Sequence, residues 1–146
     1  MKIYLACTVR GDRGGLLAVR TLAAVLERRG HTVMTHHLLS DDVDRAESAL
    51  SAREVFERDV AWLDAADLLI AEASGSSYGV GFEVGYVLGR SDRSSGRRVI
   101  VLYDASRTVH VSRLICGNTH PACTTYGYRD ADDMIRFVEA LLAPAS

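Results

Sequence analysis

Short apolar runs alternate along this chain with segments of helical period, and no other feature constrains the fold as strongly. Lys2–Thr8 is a β-leaning apolar run that stops at the turn "RGDRGG". Leu16, Leu17, Val19, Leu22, Ala23, Val25 and Leu26 then recur at helical spacing, with Gly30 placed to cap the end. Thr32–Thr35 predicts a second strand, and the polar segment 41–50 reads as loop with some helix. Ser51 and Glu54 match a capping box opening a helix through Val55, Phe56, Val60, Trp62 and Leu63. Leu68–Ala71 predicts a third strand, 76–90 a glycine-rich helix, and Val99–Tyr103 a fourth strand. Val111–Ile115 suggests a helical turn, Thr124–Tyr126 a short edge strand, and Asp130 the cap of a last helix ending at Leu142. "RSDRSSGRR", between the glycine-rich helix and the fourth strand, reads as a solvated, mobile loop. Such alternation predicts an α/β fold: a parallel sheet with helices on both faces. Ligands of such sheets bind beyond the carboxyl ends of the strands.

Composition narrows the class. The 146 residues suit one domain, 1–146, and 48% hydrophobic with 25% charged content suits an ordinary globular protein. The net charge of -2 excludes a basic excess aimed at nucleic acid. No apolar run reaches the ~20 residues of a membrane span. "MKIYLACTV" lacks a cleavage region behind it and reads as a buried strand, not a targeting segment. Cys7, Cys116 and Cys123 are odd in number and widely spaced, which points to neither a zinc site nor a disulfide framework. A reduced, cytoplasmic setting is expected.

The stretch "SSYGVGFEVGYVLGR" carries the strongest chemical signal. Glu83 lies near a helix start, flanked by Phe82, Val84, Tyr86, Val87 and Leu88, which leave little polar face for a solvated acid. A helix N-terminus favours the ionised carboxylate, and an ionised carboxylate beside an apolar wall can act as a nucleophile. Gly81, Gly85 and Gly89 form one i, i+4 ridge that permits close helix approach, in the core or across a dimer interface. Gly79 lies one turn before Glu83 and leaves room for a ligand. Asp59 falls near the apolar stripe of its own helix, so it is either buried and paired with an arginine or turned to a cleft. Thr8 and Arg10 lie at the end of the first strand, before a helix, where a helix N-terminus and a guanidinium suit a phosphate; from position alone the plainer reading, a surface loop with solvated charge, is the stronger. His37 follows the second strand and can line the same cleft. "HH" without a third ligand is weak support for a metal. Ser77 and Ser112 are loop hydroxyls whose plain role is capping. There is no Walker loop, and "GVGFEVG" is not G-x-G-x-x-G.

Taken in order, "IYLACTVRG", "MTHH", "FERDVAWLDAADLLIAEAS", "SSYGVGFEVG" and "VSRLICG" resemble the nucleoside 2-deoxyribosyltransferase superfamily, specifically its 2′-deoxynucleoside 5′-monophosphate N-hydrolase branch. The resemblance implies a three-layer, flavodoxin/Rossmann-like fold with a parallel five-stranded sheet. It implies cleavage of the N-glycosidic bond of nucleoside 5′-monophosphates by double displacement. Glu83 would attack C1′, Asp59 would position the nucleotide and assist proton transfer, and Tyr4 would hold the nucleophile or sugar. Thr8, Arg10 and Ser77 would take the phosphate, with Ser112 contributed by the neighbouring subunit of a homodimer. His37 would sit near base and sugar, while Gly79 and Gly81 would let the sugar approach closely. Neither metal nor organic cofactor is implied, and neither nucleic acid nor membrane is a partner. The chain departs from relatives that carry Gly-Ser where Cys7-Thr8 stand, and an arginine where Cys116 stands. Two other readings use the same residues: base exchange by a transferase, and a nucleotide-binding module without turnover.

Overall fold

The computed structural model describes residues 1–91, 96 and 98–143. Most of the expected loop 90–98 lies outside them. The strands are β1 (Lys2–Ala6), β2 (Thr32–Val33), β3 (Leu68–Glu72), β4 (Arg98–Asp104) and β5 (Cys123–Tyr128). The helices are α1 (Leu16–Arg28), α2 (Val43–Glu47), α3 (Ala52–Ala65), α4 (Tyr78–Gly89), α5 (Arg113–Cys116) and α6 (Ala131–Leu142). Two 3₁₀ turns, His36–Leu39 and Ala105–His110, complete the described chain. The strands form one parallel sheet in the order β2-β1-β3-β4-β5. The expected α/β architecture with a five-stranded parallel sheet is therefore present.

Local signals account for the element ends. Gly30, at φ 82°, follows α1; its amide reaches the Glu27 carbonyl and the His31 amide reaches Leu26. This paired closure needs a left-handed residue, which glycine supplies without strain. Ser51 and Glu54 bond reciprocally at the start of α3, as their spacing predicts. The first strand ends two residues earlier than expected, at Ala6, because Cys7 and Thr8 already turn toward the loop. The second strand is also shorter, since Thr35 leads directly into the 3₁₀ turn. The last strand is longer than its sequence suggests: Cys123–Tyr128 pairs along β4 from Val99 to Asp104.

The period of two in the strands sorts side chains between the faces. Ile3, Leu5, Leu68, Ile70, Ile100 and Leu102 pack toward α1 and α6. Tyr4, Ala6, Leu69, Ala71, Val99 and Val101 join Leu63 of α3 and Val80, Val84 and Val87 of α4 on the other face. The same parity sends Tyr4 toward α4 and Glu72 toward α1.

Chain direction across the sheet reverses between β1 and β3, where neighbouring connections leave to opposite sides. Such a switch point leaves a crevice beyond the strand ends. The β1–α1 and β3–α4 loops meet there at Gly75. A Cβ on Gly75 would collide with the Asp12 carbonyl and the Thr8 side chain. Gly75→Ala is expected to cost about 1–3 kcal/mol through overpacking, read as a lower urea midpoint at an unchanged slope.

Candidate active site

At this crevice lies a cavity of about 850 Å³. One wall comes from the two loops, with Cys7, Arg10, Gly11, Ser77 and Gly79; the other comes from α2, α3 and their connection, with Glu47, Leu50, Val55 and Asp59. Glu83 also lines it, from the inner side of α4, one turn beyond Val80 and one before Val87. The helix turns that carboxyl inward because its buried stripe, Val80, Val84, Val87 and Leu88, faces the sheet.

The Tyr4 hydroxyl donates to Glu83 Oε1 at 2.5 Å, joining residues 79 positions apart. Glu83 Oε2 has no partner among the described residues. Burial raises the Glu83 carboxyl to about 7; the Tyr4 bond pulls it down, and the charge of Asp59 adds to the rise. Burial, then Glu83 itself, hold the Tyr4 phenol far above its ordinary value, so it stays a donor. Asp59 is also raised, first by burial, against the pull of Arg58. Arg58 Nε donates to Asp59 Oδ1 at 2.9 Å, and its Nη2 lies 2.8 Å from the same oxygen as an ion pair without hydrogen-bond geometry. The two readings of Asp59, arginine-paired and facing a cleft, thus hold together.

Arg58 also reaches Glu47 Oε1 at 2.8 Å and lies over the Trp62 ring, 5.0 Å from its centre. His37 Nε2 approaches the same Glu47 oxygen at 3.4 Å and meets Trp62 edge-on. Burial, with Arg58, lowers the His37 pKa, which favours the neutral ring at pH 7. His37 does not line the cavity; it backs Glu47, with its ring beside a separate shallow groove.

The other expected residues divide. Arg10 lines the cavity but is exposed and paired to Asp44 at 2.7 Å. The Thr8 side chain is buried against Gly75 instead of lining the cavity, and its hydroxyl lacks a partner among the described residues. Ser77 caps α4, accepting from the Val80 amide at 3.4 Å. The amides of Tyr78 and Gly79, in the first turn of α4, have no acceptor among the described residues, and such amides favour an anion. Before them, Ser76 adopts a left-handed φ of 50°, held by its bond to the His110 carbonyl. Gly81 and Ser112 line a second, more apolar cavity of about 360 Å³, beside Ser77 and Leu114, and not the Glu83 cavity. A Cβ on Gly81, Gly85 or Gly89 would meet open space, so the ridge does not serve close packing within the core.

The sequence reading missed Arg58 and Glu47. Arg58 adjoins a chosen acid, but its reach to α2 follows only from the fold. Glu47 lay in a segment without a clear helical register. It also missed Glu72, which is buried at the end of β3 and receives bonds from the Tyr128 and Ser74 hydroxyls. A Cβ on Gly15 would collide with the Glu72 carboxylate, so glycine lets α1 begin against it. Cys7 lines the cavity, yet burial pushes its thiol up to about 11, which removes it as a thiolate nucleophile near neutral pH.

Comparison with known proteins gives the family. Residues 3–133 match the nucleoside 2-deoxyribosyltransferase family, and the chain belongs to that family. It is 43% identical to a protein of Thermofilum pendens bearing the name "Putative 2′-deoxynucleoside 5′-phosphate N-hydrolase 1", over 97% of this chain and 95% of that one. It is 32% identical to the 5-hydroxymethyl-dUMP N-hydrolase of Danio rerio, over 64% of this chain and 65% of that one. The solved CMP N-glycosidase BcmB of Clostridium botulinum shares the fold, with a TM-score of 0.69 at 18% identity, covering 97% of this chain and 99% of that one.

Two outcomes follow from the carboxyl geometry. A folded-state value near 7, above the ordinary 4.5, means that ionising Glu83 opposes folding as pH rises between those values. Glu83→Gln is therefore expected to raise Tm by roughly 4–8 °C at pH 8, with little change at pH 4, by calorimetry. Tyr4→Phe removes a bond that favours the ionised carboxylate. The ascending limb of kcat/KM against pH, expected near the Glu83 value, should move upward by on the order of one pH unit.

Proposed function

We propose that this chain is an N-glycosidase that hydrolyses (2′-deoxy)nucleoside 5′-monophosphates to free base and (deoxy)ribose 5-phosphate. The carrying observation is Glu83, gripped through one oxygen by Tyr4, on the wall of a nucleotide-sized cavity that also presents Asp59. The family and the names of its relatives support the same reaction class.

In this reading the free oxygen of Glu83 attacks C1′ as the C1′–N bond breaks. The electron pair of that bond leaves with the base, which takes a proton delivered with the help of Asp59. An oxocarbenium-like sugar is stabilised by the adjacent carboxylate on the way to a glycosyl ester. Water, deprotonated by Asp59, then attacks C1′ and frees Glu83. Asp59 can change roles because burial raises it while Arg58 keeps it oriented. The phosphate takes the first-turn amides of α4, with Ser77 and with Arg10 released from Asp44. Thr8 supports that loop from beneath.

A homodimer completes the site. Phe82 and Leu114 are exposed, the glycine ridge is open, and Ser112 lies outside its own chain's Glu83 cavity. These features fit an α4-centred interface that brings Ser112 of one subunit toward the phosphate of the other. Sedimentation is expected to give twice the chain mass, and Leu114→Arg to give a monomer with little turnover.

Chromatography of deoxynucleoside monophosphate digests checks the reaction. The wild type should release free base, and Glu83→Ala should lose at least 10³-fold in kcat, the scale on which covalent nucleophiles act. Full activity in that variant sinks the mechanism. With a second free base present, a new nucleotide would indicate transfer, and sugar phosphate hydrolysis. Binding without any turnover would support a non-catalytic module. Arg10→Ala should raise KM for monophosphates while leaving any turnover of nucleosides unchanged.

A further inference from the structure

We infer that Glu47 reads the base, favouring nucleotides whose base carries an exocyclic amino group over the keto-only pyrimidines. The inference rests on the nucleotide reading above. A phosphate dianion is repelled from the wall that holds Glu47 and Asp59 and is drawn to the α4 amides and Arg10. With C1′ at Glu83, the base is left to the α2–α3 wall. Leu50 and Val55 there offer apolar contact for a planar ring, and Glu47 supplies a polar edge.

Glu47 is suited to reading because only one of its oxygens is engaged. Oε1 stands in ion-pair contact with Arg58 Nη2 at 2.8 Å and His37 Nε2 at 3.4 Å, neither with hydrogen-bond geometry, whereas Oε2 has no partner among the described residues. The side chain is only 11% exposed, so it cannot swing freely into water. A carboxylate oxygen only accepts, so it takes an N–H and turns away a carbonyl oxygen. Guanine, adenine and cytosine can turn an N–H of an amino group to it. Uracil and thymine present one N–H flanked by two carbonyls, and those oxygens are repelled. Arg58 and His37 hold the carboxylate in place, which also gives His37 an indirect part in base selection.

The test is a kcat/KM panel of dGMP, dAMP, dCMP, dUMP and dTMP on the wild type and on Glu47→Gln, with folding checked by thermal melting. The wild type should favour the amino-bearing three by roughly tenfold or more, the scale of one charged hydrogen bond. In Glu47→Gln the amide oxygen can still face Arg58 as a dipole, and the new N–H donates. The preference should swing toward dUMP and dTMP. Wild-type preference for the keto pyrimidines, or an equal loss for all five in Glu47→Gln, overturns the inference and leaves Glu47 as a support for Arg58. Calorimetric affinities on the Glu83→Gln chain separate this from the reaction itself. Amino-base selectivity there, without wild-type turnover, would sink hydrolysis and keep the base reader. Turnover without selectivity would do the reverse.

Discussion

The bond from the Tyr4 hydroxyl to Glu83 is the constraint on which the rest of the site depends. It ties β1 to the inner face of α4 and aims one carboxyl at the cavity. Neither residue could hold its place alone. A phenol buried in the sheet needs an acceptor, and a carboxyl in apolar surroundings needs a donor. The pairing meets both needs and still leaves one carboxylate oxygen for chemistry. Burial nonetheless raises the carboxyl to about 7, so the fold carries a cost at this position.

A second polar system is built around Arg58. One guanidinium orients Asp59, anchors Glu47 and lies against Trp62, while His37 closes the set from behind. Two acids in one cavity would repel each other and a phosphate. One arginine offsets only one of the two charges, so the α2–α3 wall stays negative, and the amides of α4 with Arg10 supply the opposite sign elsewhere. The cavity is thereby polarised along the length of a nucleotide, which gives one direction of entry to a ligand anionic at one end and hydrogen-bonding at the other.

Much of this was legible in the sequence, for identifiable reasons. The β-α alternation is a local period, so the parallel sheet could be read directly. The Ser51–Glu54 cap and the Gly30 stop depend on neighbours a few residues away and appear where expected. Glu83 and Asp59 stood out because apolar neighbours left them no solvated face. Tyr4 entered the candidate list through family resemblance, and strand parity then explains its direction. The less legible features have long-range causes. Thr8 turned under Gly75, and Ser112 sits at a different cavity, because loop packing sets both.

By itself, the sequence determined the class of fold, the element that carries the central acid, and the carboxyl ends of the strands as the place to look. These follow from periodicity and turn chemistry, which act over a few residues. Only the tertiary structure decided which groups meet. Tyr4 reaches Glu83 across 79 positions, Arg58 joins α3 to α2, and Glu72 is buried against Tyr128, 56 positions away. It also decided that the glycine ridge opens outward. Such contacts arise from strand order and helix orientation, which set distances that no local pattern encodes.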